Sequence, residues 1–381
     1  ILQWYKALGI LKPMTKKNFI NDFNGFFQLC FLLIPLSLST AKASDYDVEV
    51  LATGLDQPWS IAEIPNEQLL ITEKTGQLIR IGTDRSVTKI IGVPEVFYAG
   101  QGGLLEVLPH PEFDQNQNIF LSYASGNNSK NQTSVARGVL RNDTLTNVEV
   151  ILKVKPTKKG SLHYGGRLAF LPDHTLLVTV GDGFSYREQA QDIRSEFGKL
   201  LRIHTDGSSP SNNPFPRIGP RVFSYGHRNP QGLFFDSSTK TIFMHEHGPK
   251  GGDELNMIEA GLNYGWPAIT YGVDYSGAII SPYKEADGME QPLKYWVPSI
   301  GPSGLAMYHG DDFPEWEGDF LLGSLINKEV RRLKVEQGAI VEEMQIFPEV
   351  SGRARDIRVL KDGSVVVITD EGDLVKFYRG S

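Results

Sequence analysis

Apolar residues recur along the chain as pairs of short runs separated by a turn. Each copy has a small or polar start, an alternation of apolar and polar residues, a turn, and a second apolar run. The turns contain Pro, Asn, Asp and Gly, which form hairpin loops, and the second runs are rich in residues that favour strands. Six such segments occur, and they begin at Trp59, Gly103, Gly166, Gly232, Gly304 and Ala354.

Six β-repeats in one chain predict an all-β protein with the fold of a six-bladed β-propeller. In a propeller each blade buries its faces against its neighbours, and closure of the ring protects the sheet edges. A β-sandwich is the alternative, but it does not explain six similar units. The repeats are unevenly spaced, so we expect long loops, one of them an insertion from Gly248 to Ser303. Helical periodicity is scarce, and the segment from Arg187 to Leu201 is the best candidate for a short helix.

The first 43 residues do not follow this pattern. Met14 is followed by two lysines, an apolar run and then Ala-Lys-Ala ending at Ala43, an order typical of a secretory signal peptide. The apolar run is short for a membrane span. We therefore predict that residues 1–43 are upstream sequence plus a signal peptide, with the start at Met14 and cleavage near Ala43. Residues 44–381 then form a single catalytic propeller domain, periplasmic or secreted and without a membrane span.

Charge and cysteine content exclude several classes of function. Without the five lysines and one aspartate of the leader, 33 basic and 44 acidic residues remain, a net charge of −11. This argues against nucleic acid or an anionic membrane as a partner, since both attract basic surfaces. Cys30, in the leader, is the only cysteine. A catalytic thiol, a cysteine-ligated metal and a disulfide are therefore excluded in the mature chain.

The segment HYGGRLAF contains the first candidate for catalysis, His163. It follows a loop rich in Gly and Lys, so we expect it at a loop–strand junction that faces a cleft. Gly165 and Gly166 leave room for close approach of a ligand to the backbone. A neutral imidazole can accept a proton at neutral pH; the alternative is a hydrogen-bonded structural histidine. We expect Arg167 to form an ion pair within its blade.

A second candidate site lies in the segment GRARDIR, near the end of the chain. Arg353 and Arg355 share one face of a predicted strand. Two guanidinium groups on one face suit a ligand that carries carboxylates. The alternative is a solvated face or an ion pair with Asp356 or Glu371.

Two further segments contain polar residues in loops. YGHRNPQG includes Arg228 and Asn229, and HEHGPKGGDELN includes Asp253 and Glu254. In the second segment, Gly and Pro free backbone carbonyls from sheet pairing, and the carboxylates add hard oxygens, which together suit calcium. An acidic turn without a metal is the alternative.

Taken in order, the motifs resemble one family: the soluble pyrroloquinoline quinone (PQQ)-dependent aldose sugar dehydrogenases of the glucose/sorbosone dehydrogenase group. The similarity runs from about Val48 to the C-terminus. It implies a six-bladed propeller that oxidises the anomeric carbon of an aldose to a lactone, by hydride transfer to calcium-bound PQQ, and passes electrons to an external acceptor. The markers are GLDQPWSIAEIP, GQGGLLEVLPHPEF, HYGGRLAF, GKLLRIHTDG, YGHRNPQGL, HGPKGGDELN, NYGWP and RARDIR.

The resemblance also implies a role for individual residues. His163 matches the general base of the family. Gly248 and Pro249 resemble the pair whose carbonyls hold the calcium bound to the quinone, and Glu254 and Tyr264 resemble ligands of a second, structural calcium. Residues at positions that line the pocket or bind the cofactor are Gln101, Arg228, Asn229, Tyr275, Ser299, Arg353 and Arg355.

Three positions depart from the glucose dehydrogenase branch of that family. Leu162 replaces an Asp before the base, so we expect either a weaker base or another group that orients it. Ile326 replaces a quinone-binding Lys; either Lys328 substitutes through a register shift or the affinity for PQQ is reduced. His247 replaces an amide side chain.

These departures leave two other functions open. One is a catalytically inactive propeller that serves as a binding module. The other is a calcium-dependent lactonase or hydrolase, for which Glu254 is the one obvious carboxylate ligand. We expect a monomer or a homodimer.

Overall fold

The computed structural model describes residues 45–379, and its strands form six four-stranded antiparallel sheets. Five sheets, or blades, use four consecutive strands each, and the sixth also includes the first strand of the chain. Blade one contains β2 (Pro58–Ile64), β3 (Gln68–Glu73), β4 (Gln77–Ile81) and β5 (Val87–Ile90). Blade two contains β6 (Leu104–Pro109), β7 (Asn118–Asn127), β8 (Lys130–Arg141) and β9 (Thr144–Lys153). Blade three contains β10 (Leu168–Phe170), β11 (Leu176–Val180), β12 (Lys199–Ile203) and β13 (Val222–Tyr225).

The remaining blades follow the same plan, apart from the closure of the sixth. Blade four contains β14 (Pro230–Asp236), β15 (Thr241–Glu246), β16 (Asp253–Ile258) and β17 (Lys294–Trp296). Blade five contains β18 (Pro302–Met307), β19 (Phe320–Ser324), β20 (Glu329–Glu336) and β21 (Ala339–Ile346). Blade six contains β22 (Ala354–Val359), β23 (Val365–Thr369), β24 (Leu374–Tyr378) and β1 (Asp47–Ala52).

The blades close into a ring. The first strands of successive blades contact one another in the order β2, β6, β10, β14, β18 and β22, and β22 contacts β2. Strand β1 pairs with β24, so that Val48 lies opposite Phe377, and this pairing joins the first and last strands of residues 45–379 within one blade. The prediction of an all-β six-bladed propeller is confirmed, and each predicted repeat starts within two residues of the first strand of a blade.

The core is divided among the six interfaces between blades. Strand β23 shows why its first four positions are apolar: Val365 and Val367 pack in the cluster shared with blade five, whereas Val366 and Ile368 pack in the cluster shared with blade one. Side chains alternate between the two faces of a strand, so a strand buried on both faces must be apolar throughout. Equivalent clusters occupy the other four interfaces.

Two expectations about irregular segments were wrong in part. The predicted helix from Arg187 to Leu201 is a 3₁₀ helix over Arg187–Gln191 only, and β12 begins at Lys199. Gly198 ends that loop with φ 66°, a left-handed conformation in which a right-handed helix cannot continue. A Cβ there would lie 2.4 Å from the His227 carbonyl oxygen, so the position requires glycine. Other helical turns are an α-helix over Phe113–Asn116 and a 3₁₀ helix over Pro314–Trp316.

The predicted insertion from Gly248 to Ser303 contains two regular strands of blade four, β16 and β17. Only the segment between them, residues 259–293, departs from the blade plan. The predicted signal peptide and cleavage position lie outside the described residues. Among residues 45–379, no helix has the length and apolar character needed to cross a membrane.

Candidate active site

The blade topology brings two sets of loops to one end of the propeller. In a four-stranded antiparallel sheet, the segment before the first strand and the loop between the second and third strands lie at the same end. A cavity of ≈ 890 Å³ lies among these loops, a size typical of small-molecule sites. The predicted site residues that line it are Gln101, Gly248, Pro249, Tyr275, Ser299, Arg353 and Arg355.

His163 lies directly behind this lining, where the chain enters blade three. Its side chain is 5% exposed, and its backbone has φ 54°, a left-handed conformation that is uncommon outside glycine. Its backbone N–H donates to Gln101 Oε1 at 2.7 Å, and its ring Nδ1 lies 2.7 Å from Asp182 Oδ1. The strained backbone is thus held from both sides by hydrogen bonds, an arrangement typical of functional positions.

Asp182 supplies the carboxylate that Leu162 cannot. It lies in the loop after β11, is buried, and also accepts the Phe184 backbone N–H at 2.7 Å and the Trp266 indole N–H at 2.8 Å. Of the two alternatives expected from Leu162, a weaker base or another group that orients the ring, the structure shows the second, because Asp182 orients His163. Sequence reasoning missed Asp182 because it follows His163 by 19 residues; the available signal was Gly-Asp-Gly at the end of the second apolar run of this repeat.

These contacts define the state of the His163 ring. A carboxylate only accepts hydrogen bonds, so Nδ1 carries the proton and Nε2 keeps its lone pair. No hydrogen bond from residues 45–379 engages Nε2. Burial lowers the pKa of His163; Asp182 opposes this shift, whereas Arg228 and Lys158 add to it. The ring is therefore neutral at pH 7, with a fixed tautomer and an unused basic nitrogen.

Arg228 and Asn229 also lie behind the cavity, where the chain enters blade four. Arg228 Nη1 donates to the backbone carbonyls of His247, at 2.8 Å, and Gly248, at 2.6 Å. Asn229 Oδ1 accepts the Gly165 N–H at 3.3 Å. Both side chains are buried. They connect the segment that carries His163 to the loop predicted to bind calcium.

Arg353 and Arg355 face the cavity together, and one carboxylate bridges them. Arg353 Nε donates to Asp370 Oδ2 at 2.8 Å, and Arg355 donates through Nε and Nη2 to Asp370 Oδ1 and Oδ2 at 2.7 and 2.9 Å. Asp370 follows the second strand of blade six and lines the cavity. The ion-pair partner is therefore Asp370 and not Asp356 or Glu371. Two guanidiniums and one carboxylate leave this surface with a net positive charge.

Ile326 faces the same cavity as an exposed apolar side chain, 57% accessible. Lys328 lies in the turn between β19 and β20, is exposed, and does not line the cavity. The structure therefore does not show a register shift that would bring Lys328 into the site.

Tyr275 and Ser299 complete the predicted set. Tyr275 is 60% exposed, and its ring centroid lies 5.9 Å from the Arg228 guanidinium. The Ser299 hydroxyl donates to Asp253 Oδ2 at 2.6 Å.

The loop after β15 contains the carbonyls predicted to hold calcium. The Gly248 carbonyl accepts a hydrogen bond from Arg228, whereas no hydrogen bond from residues 45–379 engages the Pro249 carbonyl. The Asp253 carboxylate faces the loop itself and accepts the Gly248 N–H at 2.8 Å. A cation bound by the Gly248 and Pro249 carbonyls would contact neutral oxygens and would lie close to the positive charge of Arg228. The loop fits calcium only when a bound ligand adds anionic oxygens.

Glu254 and Tyr264 lie at a second, smaller cavity of ≈ 10 Å³, about the size of one water molecule, which Glu246 and Thr270 also line. Burial and the neighbouring Glu246 carboxylate raise the pKa of Glu254 to about 8. The Tyr264 hydroxyl donates to the Met257 carbonyl at 2.8 Å, which leaves its backbone carbonyl as the oxygen able to bind a cation. Two close carboxylates in a cavity of this size fit a divalent cation.

The expectation that Arg167 forms an ion pair within its own blade is wrong, because its partners lie in two other blades. Its Nη1 lies 2.8 Å from Glu106 Oε2 in blade two and 3.0 Å from Asp356 Oδ1 in blade six. Arg358 of blade six also reaches Glu106, at 2.6 Å. This buried network connects three blades across the ring.

His110, Glu112 and His174 place their ligand atoms within 4.8 Å of one another, in the loops that follow the first strands of blades two and three. The His110 Nδ1 accepts the Glu112 backbone N–H at 3.0 Å. In the neutral ring this places the proton on Nε2, so neither nitrogen of His110 offers a lone pair to a metal. This group is better described as a packed histidine pair than as a metal site.

Comparison with known proteins agrees with this geometry. Residues 55–376 match the family "Glucose / Sorbosone dehydrogenase". The chain is 38% identical to aldose sugar dehydrogenase YliI of Escherichia coli, over 91% of this chain and 97% of that protein. It is 29% identical to quinoprotein glucose dehydrogenase B of Acinetobacter calcoaceticus, over 92% and 90%. The PQQ-bound aldose sugar dehydrogenase of Streptomyces coelicolor superimposes with a TM-score of 0.73 at 27% identity, covering 87% of this chain and 98% of that one.

The chain belongs to the glucose/sorbosone dehydrogenase family. The resemblance drawn from the sequence motifs is thereby confirmed, and the protein is a sugar dehydrogenase built on a propeller. The roles of the individual residues in this glucose/sorbosone dehydrogenase stay predictions, although the structure brings seven of them to one cavity and three more directly behind it.

Proposed function

We propose that this dehydrogenase oxidises the anomeric carbon of aldose sugars to lactones with PQQ and calcium as cofactors. The observation that carries the proposal is the His163–Asp182 pair, a neutral and oriented base, directly behind a cavity whose surface is cationic. Two of the three relatives named above are a quinoprotein and a PQQ-bound enzyme, which supports the choice of cofactor.

In this proposal the residues of the chain perform three tasks. His163 Nε2 accepts the proton of the anomeric hydroxyl, and Asp182 keeps the ring oriented and stabilises the imidazolium that forms. Gln101 holds the backbone of His163 in its left-handed conformation. Arg353 and Arg355 bind carboxylates of the cofactor through the N–H groups that Asp370 does not use. When bound, PQQ supplies the acceptor for the hydride that leaves the anomeric carbon, and calcium supplies Lewis acidity.

We assign two calcium positions with different requirements. Gly248 and Pro249 would hold one ion jointly with the cofactor, since neutral carbonyls beside Arg228 do not suffice. Glu254 and the Tyr264 carbonyl would hold the other, where it neutralises the close carboxylate pair. Calcium at the second position is thus independent of PQQ.

The sequence also supports a proposal for the cellular setting. We propose export through the signal peptide and function in the periplasm or outside the cell, on an aldose substrate and with an external electron acceptor. A monomer or a homodimer is compatible with this role.

Reconstitution tests the proposal. Apo protein is loaded with PQQ and calcium, and dye reduction is followed with several aldoses. We expect activity that requires both cofactors and that falls about 10²-fold or more in His163→Ala. Full activity in His163→Ala would overturn the mechanism. Absence of PQQ binding at micromolar concentration would favour the inactive binding module, and hydrolysis of a lactone without PQQ would favour the hydrolase.

A further inference from the structure

Lys74 faces the active-site cavity from blade one, and none of the motifs identified it. It lies in the turn between β3 and β4 and lines the cavity together with Arg353, Arg355 and Asp370. Its Nζ donates to the Gly100 carbonyl at 2.9 Å. Blades six, one and two therefore meet at this part of the surface.

The backbone of Lys74 is fixed on both sides. Its N–H donates to the Gln57 carbonyl at 3.1 Å, and its carbonyl accepts the Leu104 N–H at 3.1 Å. A Cβ on Gly103 would lie 2.2 Å from the Lys74 carbonyl oxygen, so the close approach of the two segments requires glycine there. The position of Lys74 is therefore built into the junction of blades one and two.

The charges around Lys74 favour an anionic ligand. Burial and the Arg355 charge lower the pKa of Lys74, and Asp370 partly opposes this shift. Three cations thus share one carboxylate on this surface. An ammonium has three N–H donors, and the Gly100 carbonyl uses one of them, which leaves two to face the cavity.

We propose that Lys74 binds a carboxylate of the cofactor, as the third cation of the surface formed by Arg353 and Arg355. This rests on the proposed function, since the ligand is taken to be a polycarboxylate such as PQQ. In this chain Ile326 is apolar and Lys328 lies outside the cavity, so blade five contributes no cation to the lining. Lys74 supplies that charge from blade one instead.

The test compares Lys74→Met with Lys328→Met, an exposed lysine in a blade turn at the same end of the propeller. Both changes remove one positive charge, but only the first alters the cavity lining. The dissociation constant of PQQ is measured by calorimetry in excess calcium, at low and at high salt. We expect Lys74→Met to weaken binding about tenfold or more and to reduce the salt dependence of binding, whereas Lys328→Met and Lys74→Arg bind much like the wild type.

Three results would overturn the inference. Equal PQQ affinity in both Met variants would exclude a contact with the ligand. Weaker binding with an unchanged salt dependence would assign Lys74 a structural role through Gly100. If wild-type protein binds no PQQ, the proposed function itself fails, and this result is distinct because it does not depend on any variant.

Discussion

At the scale of single residues, catalysis depends on how one imidazole is held. A histidine serves as a base at neutral pH when its lone pair is oriented and its ring stays unprotonated. The Asp182 contact sets the tautomer of His163, and burial keeps its pKa low. Asp182 is itself fixed by Phe184 and Trp266, so the orientation of the base is defined by the loop after β11 and the insertion of blade four.

We predict that Asp182→Ala lowers kcat of the reconstituted enzyme about 10²-fold or more, with little change in KM for the sugar. The ring loses the acceptor that fixes its tautomer, whereas the cavity lining is unchanged. Steady-state dye reduction measures both constants. Leu162→Asp is the matched control: it should alter kcat little, because Nδ1 already has a carboxylate. A large gain in Leu162→Asp would contradict the assignment of Asp182 as the partner.

The pH dependence of kcat/KM tests the state of the base. Burial lowers the pKa of His163 below its ordinary value of 6.5. The neutral form is the active one, so it is retained at pH 7 and lost only as the pH falls below 6.5. We expect a flat profile from pH 7 upward to the next ionisation, with an acid limb below 6.5 that is absent in His163→Ala. An acid limb above 6.5 would show that Asp182 outweighs burial.

At the scale of elements, the loops after the second strands carry side chains of the site in five blades, and three of these side chains, Asp182, Asp370 and Lys74, were not identified from the motifs. Asp182, His247, Ile326 and Asp370 occupy equivalent places in four blades, and Lys74 occupies that of the first. The first strands were predictable because apolar alternation and turn residues repeat six times. The hydrogen-bond partners Asp182 and Asp370 were not predictable from the sequence. They lie 19 and 15 residues from His163 and Arg355, and such contacts depend on the fold and not on local spacing.

The loop after β11 has its own anchor in Lys199, which is fully buried at the start of β12. Its Nζ donates to the carbonyls of Gln189 at 2.9 Å, and of Ala190 and Phe197 at 2.8 Å. These three bonds fold the 3₁₀ segment back onto the sheet. They therefore hold the loop that carries Asp182.

We predict that Lys199→Met lowers the free energy of unfolding by about 3 kcal/mol, because three carbonyls lose their donor. Urea denaturation measures the loss, and Lys153→Met, an exposed lysine at the end of β9, should have almost no effect. The folded Lys199→Met enzyme should keep more activity than Asp182→Ala, because Phe184 and Trp266 still hold the carboxylate. Unchanged stability would show that the carbonyls find water as a substitute.

At the scale of the whole molecule, the ring is held together in two ways. The six apolar clusters at the blade interfaces act between neighbouring blades, whereas the buried network of Arg167, Glu106 and Asp356 connects blades two, three and six. The cavity exists because residues from all six blades meet at one end. Any opening of the ring therefore displaces Arg353 and Arg355 of blade six relative to His163, which lies at the entry to blade three.

Strand β1 is the element whose removal should open the ring. It pairs with β24 along five registered positions, and Leu51 and Ala52 pack on the cluster between blades six and one. We predict that deletion of Asp47–Ala52 lowers the stability by about 3 kcal/mol and Tm by roughly 4 °C. The edge of β24 is then exposed and free to pair with another chain, so size-exclusion chromatography should show association. Calorimetry on the deleted and full chains checks the shift. An unchanged Tm with a monomeric profile would show that blade six is complete with three strands and that closure by β1 is not needed.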